Sequence, residues 1–244
     1  MNKELNGRVA LVTGAGRGIG RSCVLAFASL GAKVIAVARS QNELNEVRRH
    51  FPENIQTWTL DVTEDDIIEK IAKLERLDIV VNNAGGNHPA PFLEVTLDSL
   101  DFIVDLNIKS VFRISQAATK NMRKNAVKGS IIQMSSQMAH VGSPNRSVYC
   151  MTKHAIEGLT KSMAVELAPE GIRVNSVAPT FVETPLTKPM LEDKEFKNFV
   201  MSMIPMQQLA TVDDVVNSVV FLASSKSSMI TGHSLRVDGG WTAQ

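Results

Sequence analysis

The chain has 244 residues, of which 44% are hydrophobic and 21% are charged, and its formal net charge is +1. This length allows one large α/β domain, and the near-neutral charge gives no electrostatic case for nucleic acid or an anionic membrane as a partner. Two distant cysteines, histidines without metal-ligand spacing and the lack of a long apolar run predict a cytoplasmic protein with no metal site and no membrane span.

Short β-branched runs alternate with longer helical patterns along the chain. Strands that read as continuous apolar runs, each followed by a helix, predict a parallel sheet covered on both faces. We therefore expect an α/β protein, a single-domain doubly wound Rossmann fold over residues 1–244 with a seven-stranded parallel sheet. The expected strands are RVALVTG, KVIAVA, IQTWTLD, LDIVVNNAG, GSIIQMSS, RVNSVAP and HSLRVDGG, and the expected helices cover about 19–30, 41–49, 64–75, 97–124, 149–168, 186–203 and 213–223.

The segment 182–206 differs from the rest because it combines three prolines with four methionines. Flexible methionine side chains in such a segment suit a small helical lid over an apolar pocket. A loosely packed pair of surface helices fits the same composition equally well.

The first strand runs directly into a glycine-rich turn and then a helix. The spacing is Gly14-x-x-x-Gly18-x-Gly20, with Arg17 and Ile19 inside it, rather than the literal GxGxxG. Glycines in a strand-turn-helix context let the backbone approach a pyrophosphate, whose charge the helix N-terminus stabilises. The turn therefore predicts nucleotide binding, against the alternative of a purely structural turn.

The second strand ends in Arg39 and Ser40, where a fold that selects NAD carries an acidic residue for the ribose 2′-hydroxyl. A guanidinium at this position binds a 2′-phosphate, and Arg17 in the glycine turn can reach the same group. We predict a preference for NADP(H); the alternative is a pair of solvated arginines.

Further polar residues follow the third and fourth strands. Asp61 is placed where a side chain meets the adenine, and Asn82-Asn83-Ala84-Gly85 comes at the edge where ligands of doubly wound folds collect. The tetrad alone fits a structural turn just as well. Asn107 stands inside the helical region 97–124, where asparagine is a poor helix former and needs a reason.

The segment SVYCMTK places Tyr149 and Lys153 four residues apart on a predicted helix. Residues with this spacing lie side by side on one helical face, so a phenol and an ammonium become neighbours. Ser136 ends the fifth strand, 13 residues earlier, and can converge on the same edge of the sheet.

Taken together, these motifs resemble the short-chain dehydrogenase/reductase family over the whole chain, from Gly7 to the final VDGGW. Within the family the chain is most similar to the dicarbonyl/L-xylulose reductase branch. The resemblance implies a catalytic set in which Tyr149 is the general acid, with its pKa brought toward the working range by the Lys153 ammonium and a positive nicotinamide. Ser136 would hold the carbonyl oxygen, and the Asn107 backbone would bind a water that relays protons to Lys153.

The resemblance also implies the contacts of NADP(H). Lys153 would bind the nicotinamide ribose, Asn83 would brace the adenosine side, and Val182 and Thr184 would contact the carboxamide. Pro179-Thr180 departs from the usual Pro-Gly at that turn. The full expected cofactor set is Gly14, Arg17, Gly18, Ile19, Gly20, Arg39, Asp61, Asn83, Ala84, Gly85, Tyr149, Lys153, Pro179, Val182 and Thr184.

The expected function is an NADP(H)-dependent carbonyl reductase or alcohol dehydrogenase for a small ketone, dicarbonyl or sugar-like substrate. One alternative is a 3-oxoacyl-carrier-protein reductase, whose acidic carrier would dock on the basic segment 120–128; that segment reads otherwise as a helix C-terminus. Another is a non-catalytic nucleotide-binding scaffold. For the substrate we expect polar contacts from Gln137, His140, Asn145 and Arg146 and apolar contacts from Met190, Phe196, Phe199 and Met203.

A homotetramer or homodimer is also expected. The two helices that carry Asn107 and Tyr149 have more apolar positions than one sheet face covers, and the last strand with Trp241 is a second candidate interface. The apolar helix positions are Val104, Ile108, Phe112, Ile156, Leu159 and Met163.

Overall fold

The computed structural model describes residues 3–185 and 187–244 and confirms the predicted α/β architecture. Leu186, at which the predicted lid helix began, lies outside the described residues. Seven parallel strands form one sheet in the order β3-β2-β1-β4-β5-β6-β7. The strands are β1 Val9–Thr13, β2 Lys33–Ala38, β3 Ile55–Thr59, β4 Ile79–Asn82, β5 Ser130–Met134, β6 Arg173–Pro179 and β7 Ser234–Val237.

Helices cover both faces of this sheet. Because alternate residues of each strand point to opposite sides, each strand contributes side chains to two cores. In β1, Ala10 and Val12 join a core with α1, α2 and α9, while Leu11 joins the core formed with α3, α5 and α6. Strands that are buried on both faces explain the continuous apolar runs in the sequence. The helices are α1 Gly18–Ser29, α2 Gln41–His50, α3 Asp66–Ala72, α4 Leu97–Val104, α5 Ser110–Lys124, α6 Ser147–Leu167, α7 Lys188–Leu191, α8 Lys194–Ser202 and α9 Val212–Ala223.

Three helical predictions need correction. The region 97–124 is interrupted by a π-helical turn, Asp105–Lys109, and the predicted lid helix is two short helices, α7 and α8. Helix α3 is shorter than predicted, because Thr63 is held by the Asp61 side chain in a turn before the helix begins. By contrast, Thr211 caps α9 as its position indicates, in a reciprocal capping box with Asp214.

The carboxyl ends of β1, β4, β5 and β6 lie together at one edge of the sheet. Strands β1 and β4 pair with each other although they are not consecutive, so the strand order reverses between them. Ligands of doubly wound folds bind at this reversal. Within the described residues, no helix is both long and apolar enough to cross a membrane.

Candidate active site

The glycine turn after β1 is packed so closely that side chains are excluded at two of its positions. A β-carbon at Gly20 would collide with the carbonyl oxygen of Gly14, and one at Gly14 would stand 2.8 Å from the Asn83 amide nitrogen. Gly18 adopts a φ of +55° at the start of α1 and has open space beside it apart from Thr184. The backbone N–H groups of this helix start receive no side-chain cap from Arg17. The turn is therefore a cradle for a negatively charged group.

Asn83 ties the cradle to the neighbouring strand. Its amide nitrogen donates to the carbonyl oxygens of Thr13 at 2.9 Å and Gly14 at 3.3 Å, and its backbone N–H donates to the Thr13 hydroxyl at 3.0 Å. Thr13 also accepts a hydrogen bond from the backbone N–H of Ala84. Asn83 thus holds the loop that would contact a nucleotide, and Thr13, which the sequence analysis did not single out, is the anchor on the other side.

The two arginines predicted to select a 2′-phosphate both lie on the surface at this end of the sheet. Arg39 is 76% exposed, and its nearest anionic partner is the Asp61 carboxylate at 3.9 Å. Arg17 is exposed at the start of α1. One carboxylate oxygen of Asp61 accepts hydrogen bonds from the backbone N–H and the hydroxyl of Thr63, and these bonds orient the Asp61 side chain. Glu43, a residue that sequence reasoning missed, places its carboxylate against Gly16.

Contacts with Gly86 and Thr152 explain why Asn107 occupies an unfavourable place inside a helix. The buried amide donates to the Gly86 carbonyl oxygen at 2.9 Å and to the Thr152 hydroxyl at 3.1 Å, and it accepts from the Gly86 N–H at 2.9 Å. The π-helical turn around it is the kind of local irregularity that marks functional sites. Asn107 therefore joins the loop after β4 to the helix that carries Tyr149, through Thr152, a contact no sequence signal indicated.

Ser136 lies at the end of β5 and is buried. Its hydroxyl donates to the Gln137 side-chain oxygen at 2.9 Å and accepts from the Met138 N–H at 3.2 Å, which fixes it at the start of a short 3₁₀ turn. The same hydroxyl acts on Tyr149, whose pKa it lowers. Ser136 and Tyr149 are thus brought together, as the sequence predicted.

Tyr149 and Lys153 share one face of α6, and the Lys153 ammonium lies 5.5 Å from the centre of the Tyr149 ring. Lys153 is 7% exposed, and its Nζ donates to the Met134 carbonyl oxygen at 2.7 Å. Burial lowers the pKa of Lys153 to about 8, although Glu157 opposes this shift. The Tyr149 phenol and the Lys153 ammonium are therefore neighbours, as predicted.

Burial has the largest effect on the pKa of Tyr149 in the free protein. Burial raises the pKa of the phenol above its ordinary value, while Ser136 and Arg146 lower it. Desolvation wins because the Lys153 ammonium is turned to Met134 instead of the phenol oxygen. The protein groups alone therefore keep Tyr149 protonated, and it stays a prediction that Lys153 together with a positive nicotinamide brings the pKa of the phenol toward the working range.

The segment after β6 returns to the glycine cradle. Val182 forms an isolated bridge with Ala210, and the Thr184 side chain lies 3.7 Å from where a β-carbon on Gly18 would stand. Thr187 donates to the Val182 carbonyl oxygen and fixes the turn. Thr180, which replaces the usual glycine after Pro179, is buried, and its hydroxyl has no partner within the described residues.

Helix α8 packs its aromatic residues against the C-terminus. Phe196 stacks edge-on to Phe181 with ring centres 5.5 Å apart, and Phe199 does the same to Trp241 at 6.3 Å. Tyr149 packs at the margin of this cluster. Trp241 is thus buried inside the chain, which corrects its expected place at an interface.

The four polar residues expected around the substrate have different surroundings. Gln137 supports Ser136, and His140 turns away to Ser234 on β7 at 3.0 Å. Asn145 adopts a left-handed conformation, with φ 58°, and its carbonyl accepts from the Ala90 N–H. Only Arg146 combines burial with a polar group, Nη1, that lacks a partner in the described part of the chain.

A glycine cradle at the strand-order reversal, with a phenol and a cation at the same edge of the sheet, is the arrangement of a nucleotide-binding protein of the Rossmann class. A family model described as Enoyl-(Acyl carrier protein) reductase matches residues 14–242. The L-xylulose reductase of Bos taurus is 41% identical over 244 residues, with 100% of both chains covered. The 3-oxoacyl-[acyl-carrier-protein] reductase FabG of Thermotoga maritima is 36% identical over 97% of this chain and 98% of its own.

Solved structures agree with the sequence comparison. The gluconate 5-dehydrogenase of Burkholderia cenocepacia, solved in complex with NADP and tartrate, has a TM-score of 0.93 and 31% identity over 100% of this chain and 98% of its own. The chain therefore belongs to the short-chain dehydrogenase/reductase family, and it is an enzyme of that family. The resemblance noted in the sequence is confirmed.

Proposed function

We propose that this enzyme is an NADP(H)-dependent carbonyl reductase, acting in reverse as an alcohol dehydrogenase, on a small ketone, dicarbonyl or sugar-like substrate. The observation that carries the proposal is the Tyr149–Lys153 pair on α6, held beside the glycine cradle at the strand-order reversal. Relatives that are L-xylulose reductases and a neighbour with bound NADP support the same reaction class.

The residues at the cradle fit NADP(H). The close-packed glycines and the uncapped start of α1 suit a pyrophosphate, and the exposed guanidiniums of Arg17 and Arg39 suit a 2′-phosphate. Asp61, Asn83, Ala84 and Gly85 line the same edge from β3 and β4, while Pro179, Val182 and Thr184 approach from β6.

The chemistry requires a hydride and a proton. Bound at this edge, NADPH would supply the hydride that the carbonyl carbon accepts, so that the carbonyl is reduced and the nicotinamide is oxidised. The Tyr149 hydroxyl donates its proton to the carbonyl oxygen, which gives the alcohol, and Ser136 orients that oxygen. Lys153 and Asn107 hold the route by which Tyr149 regains a proton.

The pKa values of the free protein suit this direction of reaction. Burial raises the pKa of Tyr149, so the phenol is protonated and ready to act as an acid at neutral pH. Oxidation of an alcohol instead needs the phenolate, and we expect the positive nicotinamide of NADP⁺ to favour it.

We further propose that residues 182–206 form a lid on a single domain. Met190 of α7 contacts Arg146, and Phe196 of α8 and Met203 just after it pack against the same apolar cluster as Tyr149. Few of their residues are buried, and Leu191 and Val200 anchor them. A segment with so small a core can open for the substrate.

Assembly into a homodimer or homotetramer is proposed from α4, α5 and α6. These helices expose large apolar side chains, among them Phe102 at 46%, Phe112 at 50% and Val165 at 80%. Ile156, by contrast, is 1% exposed and belongs to the core of the chain. We also propose a cytoplasmic location, with which the two unpaired, buried cysteines agree.

The alternative substrate is a 3-oxoacyl thioester, which the likeness to the Thermotoga maritima enzyme favours. Its carrier protein would need a basic surface. The segment 120–128 covers the end of α5 and the turn after it, and its Arg123 is already paired with Glu170. This pairing weakens the carrier-docking hypothesis.

The proposal is tested by following NADPH oxidation by the purified enzyme with α-dicarbonyls, ketoses and an acetoacetyl thioester, and with NADH as the control. We expect turnover of the dicarbonyls or ketoses with NADPH. A strong preference for the thioester would move the assignment to the alternative. Cofactor binding without turnover of any carbonyl would leave a non-catalytic scaffold.

Cofactor preference makes a sharper prediction at Arg39. Hydrogen bonds to charged groups contribute about 1.5–3 kcal/mol, and we expect the low end, about 10-fold, because the solvated side chain gains less. Arg39→Gln should therefore raise the KM for NADPH about 10-fold and leave that for NADH unchanged. Arg49→Gln, an equal loss of charge on an exposed side chain of α2, is the control. Equal KM changes for both cofactors would show that Arg39 does not read the 2′-phosphate.

A further inference from the structure

Arg146 is the one charged group near Tyr149 whose bonding is incomplete within the described residues; the unpartnered buried atoms directly after β5 and β6 are the neutral hydroxyls of Ser135 and Thr180. Arg146 is 9% exposed, and its Nη1 has no hydrogen-bond partner. Its Nη2 reaches only the sulfur of Met190 at 3.2 Å, and a thioether is a weak acceptor. No carboxylate lies within 4.0 Å of the guanidinium in residues 3–185 and 187–244.

A buried cation without a partner is strongly unfavourable. Burial lowers the pKa of Arg146, yet a guanidinium keeps its charge at any physiological pH. Arg173, a partly buried arginine, is by contrast satisfied, because it donates to the carbonyl oxygens of Leu222 and Ser224. The incomplete bonding of Arg146 therefore points to a partner that arrives with the substrate.

The position of Arg146 places that partner in the proposed substrate site. Arg146 immediately precedes α6, one turn before Tyr149, and its charge lowers the pKa of the phenol. Met190, which covers it, belongs to the lid. A group bound to Arg146 would thus lie between the lid and the general acid.

The backbone around Arg146 is fixed from both sides. Its carbonyl oxygen accepts the first hydrogen bond of α6 from Cys150 at 2.8 Å, and the preceding Asn145 carbonyl accepts from Ala90 at 3.1 Å. The main chain that carries the guanidinium is consequently fixed before a ligand arrives, which reduces the backbone entropy lost on binding.

We propose that Arg146 binds a carboxylate of the substrate, so that the enzyme reduces an oxo acid of the sugar-acid class in preference to a neutral ketose. This inference rests on the proposed carbonyl reductase function and names its substrate class. The planar guanidinium matches a carboxylate with two parallel hydrogen bonds, for which Nη1 is free and Nη2 need only leave Met190. The carboxylate is not changed in the reaction: the oxo carbon accepts the hydride and the oxo oxygen accepts the proton of Tyr149.

The test compares kcat/KM for three substrates of equal chain length: a neutral ketose, its oxo acid and its ketose phosphate. We expect the wild-type enzyme to prefer the oxo acid. In Arg146→Met the ratio of oxo acid to neutral ketose should fall about 10- to 150-fold, the range expected for a lost charged hydrogen bond. Lys161→Met, which removes a charge from the exposed side of α6, should leave the ratio unchanged.

A second measurement separates binding from turnover. Tartrate, an unreactive dicarboxylate, should inhibit the wild-type enzyme competitively with the ketose, and its inhibition constant should rise in Arg146→Met and partly recover in Arg146→Lys. An NADPH dissociation constant equal to that of the wild type shows that each variant is folded.

The outcomes distinguish carboxylate binding by Arg146 from the proposed carbonyl reductase activity. Neutral ketose reduced with NADPH, but no preference for the oxo acid or no change of ratio in Arg146→Met, overturns the carboxylate inference and leaves the carbonyl reductase standing. A preference for the phosphate also overturns it. No reduction of any of the three overturns both.

Discussion

Replacing Tyr149 by phenylalanine should reduce kcat for carbonyl reduction by about 10²- to 10⁴-fold, the usual contribution of a positioned general acid. The ring remains to pack at the margin of the aromatic cluster, and only the hydroxyl is lost. The NADPH dissociation constant should therefore stay within about threefold of the wild-type value, since one neutral hydrogen bond contributes little. Stopped-flow turnover and a fluorescence titration with NADPH measure the two quantities.

Turnover and NADPH binding of Tyr149→Phe must be compared, because only the two together show whether Tyr149 reacts or supports the site. A loss of turnover together with a loss of NADPH binding would mean that Tyr149 supports the site rather than reacting in it. Turnover at the wild-type rate would remove Tyr149 as the proton donor. Ser136→Ala is the comparison: it leaves the acid in place and removes only the group that orients the oxygen, so its loss should be smaller.

Lys153→Met should lose activity while the protein keeps its stability. Without the ammonium, the proposed route by which Tyr149 regains a proton is interrupted, and we expect kcat/KM to fall by at least about 100-fold. Lys161→Met, two turns further along α6 and exposed, is the matched control and should be active.

The stability expectation follows from the lowered pKa of Lys153, about 8 against an ordinary 10.5. A lysine whose pKa is lower in the folded state destabilises the fold below pH 8, and this cost fades as the pH rises through 8 toward the unfolded value. At neutral pH the cost is about 3 kcal/mol by linkage, and the variant removes it. Loss of the hydrogen bond to Met134 offsets this by about 1–3 kcal/mol.

The free energy of unfolding of Lys153→Met, from urea denaturation at neutral pH, should therefore equal or exceed that of the wild type. A variant that is both inactive and clearly less stable would show that Lys153 holds the fold together and that its buried charge is not retained for the reaction.

Local patterns in the sequence were sufficient for the fold. Apolar strands and a glycine turn depend on neighbouring residues, and both lie where they were predicted. The sequence did not predict the π-helical turn, because Asn107 indicates only that its helix is irregular. The reason for the irregularity lies in Gly86 and Thr152, which the chain brings to Asn107 from other elements.

The site was predicted less completely than the fold, for a similar reason. The spacing of Tyr149 and Lys153 indicated their contact, but the pKa of the phenol depends on burial and on where the ammonium turns, which only the folded chain decides. Arg146 likewise read as one polar residue among four. Its significance comes from burial and from an Nη1 that has no partner among the residues the structure describes, and neither has a sequence signal.

The chain contains a single tyrosine, so the absorbance of phenolate reports on Tyr149 alone. We would titrate it by ultraviolet difference spectroscopy, with and without NADP⁺, and use Tyr149→Phe as the blank. We expect a pKa above the ordinary value in the free enzyme, because burial raises it, and a lower pKa when NADP⁺ brings a cation close to the phenol. A pKa that NADP⁺ leaves unchanged would contradict the assignment of Tyr149 as the acid and base of the reaction.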